Sequence, residues 1–223
     1  MLFGSALSAG AASHGPDLRG VGLIDLGLAG GCTGTLIEPD LVLTAGHCLL
    51  SRIEGVRMKP EQFVFHPTSA SGEPGPGFVA KLKVVHPVFA MPGVPEQNKI
   101  ARDLGLLQLA EPVPAELATP ITTTRPDDSQ ISGFVISFRG RGGGPARQRA
   151  CPKIQRGGGV VELGCQVRRG ESGSPYLVWS DGVLRMVAVV TAKWQNKSQP
   201  TALAVELSAS FSGLMEAYRA VKK

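Results

Sequence analysis

Three short stretches of the 223-residue chain hold side chains suited to proton and acyl transfer. In "RRGESGSPY", Arg168 to Tyr176, Ser172 lies between Gly170 and Gly173 with Pro175 close behind. A hydroxyl there is a candidate nucleophile, and equally a turn residue, because glycine reaches positive φ freely and serine bonds nearby backbone. In "CTGTLIEPDLVLTAGHC", Cys32 to Cys48, a strand, a turn at Glu38 to Asp40 and a second strand bring the two cysteines back toward one another. His47 sits immediately before the second. If Cys32 and Cys48 are bonded, the backbone at His47 is pinned, which suits a base that must stay within reach of a nucleophile. In "ARDLGLLQL", Asp103 directly precedes an apolar strand. It could end a loop or pair with Arg102; beside His47 it would accept the Nδ1 proton and stabilise the imidazolium. The three stretches then supply base, orienting acid and nucleophile in the order His, Asp, Ser.

Such groups meet only if a scaffold of strands positions them. Short apolar or alternating runs predict strands at Val21 to Leu28, Cys32 to Ile37, Leu41 to Thr44, Gln62 to His66, Phe78 to His86 and Leu104 to Leu109. Five more follow, at Gly133 to Phe138, Val160 to Gln166, Pro175 to Trp179, Val183 to Thr191 and Ala202 to Leu207. This spacing reads as antiparallel barrels or sandwiches. At the end, Phe211, Leu214, Met215 and Tyr218 recur at helical intervals, with Ser208 or Ser210 as N-cap, so a C-terminal helix is expected to pack on a barrel. Glu111 to Asp128 is rich in proline and polar residues, as a linker between lobes would be, and Gly140 to Gly159 reads as a loop. The expected division is a flexible 1–18 segment, an N-terminal barrel over 19–115, and a C-terminal barrel with its helix over 116–223.

The length suffices for a substantial core without disulfides. No apolar run approaches the roughly 18 residues of a membrane span. The start, "MLFGSALSAGAASHG", resembles a flexible mature terminus or the remnant of a trimmed export signal. Four cysteines form an even set, which suits an oxidising compartment, hence a secreted or periplasmic protein. Cys151 and Cys165, if bonded, would close a loop of about 15 residues and contribute roughly 3 kcal/mol; two free thiols are the alternative. No spacing points to a metal or another cofactor. The net charge of +5 is local, because Arg139 to Arg169 holds seven arginines and one lysine against the single acid Glu162. A polyanion contact at 139–169 is thus open, whereas nucleic-acid binding is not expected.

With these residues in place, the chain resembles the chymotrypsin-like (trypsin-like) serine peptidases. "LTAGHC" is similar to the family's Thr-Ala-Ala-His-Cys block, "RDLGLLQL" to Asp-Ile-Ala-Leu-Leu, and "GESGSP" to Gly-Asp-Ser-Gly-Gly-Pro, over about Val21 to Leu207. The resemblance implies an all-β fold of two packed antiparallel six-stranded barrels with a C-terminal helix. It also implies a catalytic triad of His47, Asp103 and Ser172, and an oxyanion hole formed by the N–H groups of Gly170 and Ser172. The primary pocket would have Gln166 and Val167 at its floor and Thr191, Ala192 and Lys193 along a wall. An amide at Gln166 in place of trypsin's aspartate predicts that lysine and arginine are disfavoured at the cleaved residue.

The departures are informative. Gly46 and Gly105 replace alanines, and Ser174 replaces the second glycine of the nucleophile block, as in bacterial and distant members. Glu171 stands where the family has the aspartate that receives a new amino terminus after zymogen cleavage. No Ile-Val-Gly-Gly-like start is visible, so activation by that insertion is not expected. The expected activity is serine endopeptidase, acting on protein or peptide substrates through an acyl-enzyme. The alternative is a silent or latent protein of the same fold that binds polyanions through the basic segment.

Overall fold

The computed structural model describes residues 17–51, 57–90, 96–127, 132–139, 144–194 and 201–222. The expected flexible segment therefore lies almost wholly outside the described residues. Two antiparallel sheets and a C-terminal helix make up the fold. In the first sheet, β1 (Val21–Asp25), β2 (Gly31–Glu38), β3 (Leu41–Thr44), β4 (Val64–Pro67), β5 (Phe78–Val85) and β6 (Gly105–Leu109) close into a barrel in the order β1-β2-β3-β6-β5-β4. The short helices α1 (Pro87–Ala90) and α2 (Glu96–Ile100) fill the connection from β5 to β6. All four residues of β3 and all five of β6 are buried, which is why both read as largely apolar runs rather than as alternation.

The pairing of β3 with β6 does the positioning. Leu41 lies opposite Gln108 and Thr44 opposite Gly105, so the chain leaves β3 at the end of the barrel where it enters β6. His47 follows Thr44 closely and Asp103 comes just before Gly105. Residues 56 apart in sequence are thereby delivered to one place.

The second sheet comprises β7 (Phe134–Ser137), β8 (Arg147–Ala150), β9 (Lys153–Gly157), β10 (Val160–Leu163), β11 (Pro175–Ser180), β12 (Val183–Trp194) and β13 (Thr201–Glu206). Its order is β8-β7-β11-β12-β13-β10-β9. The expected closed six-stranded barrel is here a curled seven-stranded sheet, whose two edge strands β8 and β9 are joined through Cys151 and Pro152 alone. One face contributes Ile136, Leu177, Met186, Val189 and Val205 to a core shared with the first barrel. The other gathers Val135, Tyr176, Val178, Val187 and Val190. A sheet apolar on both faces explains the largely apolar runs "PYLVW" and "VLRMVAVVT".

The loop expected over Gly140 to Gly159 instead contains β8 and β9, apart from residues 140–143, which lie outside the described residues. Both are edge strands whose side chains are mostly exposed, so arginine, glutamine and glycine occupy them and no apolar alternation marks them. At the C-terminus α3 (Ala209–Val221) buries Leu214 and Tyr218 and packs on β5 and β6. Ser208 occupies its N-cap without a side-chain bond, while the Ser210 hydroxyl donates to the Ala101 carbonyl at 2.7 Å.

Candidate active site

After β3 the chain makes a tight helical turn over Gly46–Leu49, and the Cys32–Cys48 disulfide ties that turn back to β2. The turn lies hard against the entry to β6. A Cβ at residue 46 would stand 2.9 Å from the Leu104 carbonyl oxygen and 3.1 Å from Asp103 Oδ1, so glycine is what lets backbone and carboxylate approach. Asp103 is 5% exposed. Its Oδ1 accepts the backbone N–H of His47 at 2.7 Å, and its Oδ2 lies 2.6 Å from His47 Nδ1. The Thr191 hydroxyl donates to the same Oδ2. With the carboxylate on Nδ1, the imidazole carries its proton there and Nε2 is left as the basic nitrogen. The ring is 32% exposed, so it reaches solvent or substrate.

Ser172 stands in the turn that leads into β11. Glu171 N–H donates to the Arg168 carbonyl at 3.0 Å, closing a turn in which Gly170 has φ +92°. The Ser174 hydroxyl donates to the Glu171 carbonyl at 2.7 Å. Gly173 N–H donates to the Val190 carbonyl at 2.7 Å, and Val190 N–H to the Ser174 carbonyl at 2.8 Å, which fixes the turn to β12. Gly173 has φ +83°, and a Cβ there would come 2.1 Å from the Thr33 carbonyl oxygen and from Thr44 Oγ1. Only glycine fits against the first barrel at that point.

Thr33 and Thr191 carry hydrogen bonds that cross between the sheets. Thr33 N–H donates to the Ser172 carbonyl at 2.8 Å. The Thr33 hydroxyl accepts Phe138 N–H at 2.9 Å and donates to the Gly170 carbonyl at 3.4 Å. In the other direction, Thr191 of β12 reaches Asp103. Because Thr33 adjoins Cys32, and Cys32 is bonded to the neighbour of His47, a short path of one disulfide and one backbone hydrogen bond links the serine turn to the histidine turn. The sequence reading assigned no role to Thr33 and placed Thr191 in the pocket wall. A threonine in an apolar strand carries no signal of its partner.

Of the other expected pocket residues, Gln166 is exposed, Val167 is buried, and the side chains of Ala192 and Lys193 lie outside the described residues. The Gln166 carbonyl accepts a guanidinium N–H of Arg149. Cys151 and Cys165 are bonded to each other. Cys32, His47 and Cys48 cluster closely enough to suggest a metal site, but sulfurs joined in a disulfide are not thiolate donors. The basic segment is partly neutralised by acids outside it. Arg139 and Arg149 pair with Glu171, and Arg156 pairs with Glu206.

Comparison with known proteins bears on the family and the fold. The model of the trypsin-like peptidase domain matches residues 32–189. No curated protein matches the chain. Among solved structures, a Glu endopeptidase in complex with MPD superposes with a TM-score of 0.73 at 15% identity, covering 91% of each chain. An identity that low speaks for the fold alone; the domain match, which spans most of the chain from before His47 to beyond Ser172, speaks for the family. The chain belongs to the trypsin-like peptidase family and is a serine protease, a hydrolase of the chymotrypsin-like double-barrel fold.

Proposed function

We propose that the protein is a serine endopeptidase in which His47, Asp103 and Ser172 act as one unit. The Ser172 hydroxyl attacks the scissile carbonyl carbon while His47 Nε2 takes its proton; the carbonyl π pair moves to oxygen, giving an oxyanion held by the N–H groups of Gly170 and Ser172. Collapse breaks the C–N bond, the imidazolium returns the proton to the leaving amine, and an acyl-enzyme remains. Water, deprotonated by the same nitrogen, adds to the ester and releases Ser172. Asp103 keeps the imidazole in the required tautomer throughout. The observation that carries this reading is the Asp103 carboxylate, buried and bonded to both the backbone and the ring of His47. A structural aspartate at a strand end would not need both bonds.

The substrates are proteins or peptides, as the family implies. A cleaved residue other than lysine or arginine fits the site best. Gln166 brings no negative charge, and the nearby Glu171 turns its carboxylate inward onto arginines. Arg168 and Arg169 are exposed beside the nucleophile turn and favour acidic or small neutral side chains. Two disulfides support a secreted or periplasmic location. The lobes are proposed to divide near residue 115.

The test is kinetic. Ser172→Ala or His47→Ala should each lower kcat by roughly 10³ to 10⁶ with the fold intact, and a peptide-library digest should show little cleavage after lysine or arginine. Turnover that survives Ser172→Ala within a few-fold would refute the mechanism.

A further inference from the structure

Glu171, the residue before the nucleophile, is fully buried, and a buried carboxylate needs charged or hydrogen-bonding partners to stay ionised. It has them on every side. Its Oε1 is 3.0 Å from Arg139 Nε and 3.4 Å from Arg149 Nη2; its Oε2 accepts Arg168 N–H at 2.8 Å and lies 3.5 Å from Arg149 Nη1. Arg139 follows the end of β7, and Arg149 projects from edge strand β8. Arg149 also donates to the Gln166 carbonyl. It therefore bridges the segment that enters the turn and the acid within the turn. Cys151, two residues after Arg149, is bonded to Cys165, one residue before Gln166, so the bridge is covalently tethered at its base.

We propose that Arg139 and Arg149 are positioning residues: through the Glu171 carboxylate they hold the 168–172 turn in the shape that presents the N–H groups of Gly170 and Ser172 to a substrate oxygen. The inference rests on the peptidase reading and adds a mode of control to it. The charge of Glu171 is answered by side chains of the folded chain, so the working turn does not require the ammonium group of a newly cut chain end. Arg147, two residues from Arg149 on the same strand, is exposed and provides a matched control.

The experiment compares wild type, Arg147→Met, the pair Arg139→Met with Arg149→Met, and Arg149→Lys alone. Peptide hydrolysis and the rate of acylation by a fluorophosphonate are measured, with near-ultraviolet circular dichroism reporting the fold. The paired variant is expected to lose about 10²-fold in kcat and in acylation rate, the cost of a misplaced oxyanion donor, with KM within about three-fold. Arg149→Lys should retain an intermediate rate and Arg147→Met should match wild type. If the paired variant does not fold, adding Glu171→Gln removes the uncompensated buried charge, and that triple variant should fold yet acylate as slowly. A chain extended by several residues before Met1 should be as active as the unextended one. Paired or triple variants that fold and acylate within three-fold of wild type, or activity that appears only after a cut creates a new amino terminus, would overturn the proposal. Wild type that neither cleaves peptides nor labels at Ser172 would overturn the peptidase reading, and this role with it.

Discussion

The backbone N–H of Thr33 in the first barrel donates to the carbonyl of Ser172 in the second sheet, at 2.8 Å. The same threonine's hydroxyl accepts Phe138 N–H and donates to the Gly170 carbonyl. A single fully buried residue thus fixes both sides of the Ser172 turn. Thr33→Val keeps the shape and the backbone bond but leaves a buried N–H without a partner. It should cost about 1–3 kcal/mol in unfolding free energy and lower kcat more than it raises KM. Denaturant titration and steady-state kinetics check both; an unchanged kcat would show that the Thr33 hydroxyl does not shape the site.

Thr191 contributes the third hydrogen bond to Asp103. Bonds to charged groups contribute about 1.5–3 kcal/mol, so Thr191→Val should reduce kcat/KM by roughly ten-fold or more, and Thr191→Ser should restore most of it. Equal activity of the two variants would assign Thr191 to packing alone.

His86 gives the stability a pH dependence. Burial, and then the Arg102 charge, hold its imidazole below the ordinary range, and its Nδ1 accepts the Val88 N–H at 3.2 Å. The unfolded chain therefore binds a proton at His86 more readily than the folded one. Its stabilising contribution is complete above the ordinary imidazole pKa of about 6.5 and is lost as pH falls through the lowered folded value. Unfolding free energies at pH 7, 6 and 5 should fall less steeply for His86→Gln than for wild type; parallel profiles would exclude His86 as the group responsible.

The Cys151–Cys165 bond closes a 14-residue separation at the base of the Arg149 bridge. Replacing both with alanine should cost about 3 kcal/mol of stability by the chain-entropy model and slow acylation of Ser172. A variant equally stable to denaturant would mean that the edge of the sheet is held by β7–β8 pairing alone.

Much of this architecture was legible in the sequence because period and punctuation report burial directly. Leu41 to Thr44 and the run from Leu104 are apolar since both faces of those strands are covered, and the pattern of Phe211, Leu214, Met215 and Tyr218 is that of α3. β8 and β9 were illegible for the converse reason, since exposed edge strands leave arginine, glutamine and glycine free to occupy them. At the site, His47, Asp103 and Ser172 stood out because each sits in a stretch whose chemistry needs it. Thr33, Arg139 and Arg149 did not, and Thr191 was read into the pocket wall rather than onto Asp103. They act through partners more than 20 residues away in sequence, and no local pattern encodes which threonine or arginine folds back onto the turn.

The central claim, that Ser172 is a nucleophile activated by His47, is tested most directly by reacting the purified protein with a fluorophosphonate and mapping the adduct by mass spectrometry. One adduct per chain on Ser172, absent from heat-unfolded protein and slowed by orders of magnitude in His47→Ala, is the predicted result. Native protein that stays unlabelled, or carries the adduct equally in His47→Ala, would contradict it.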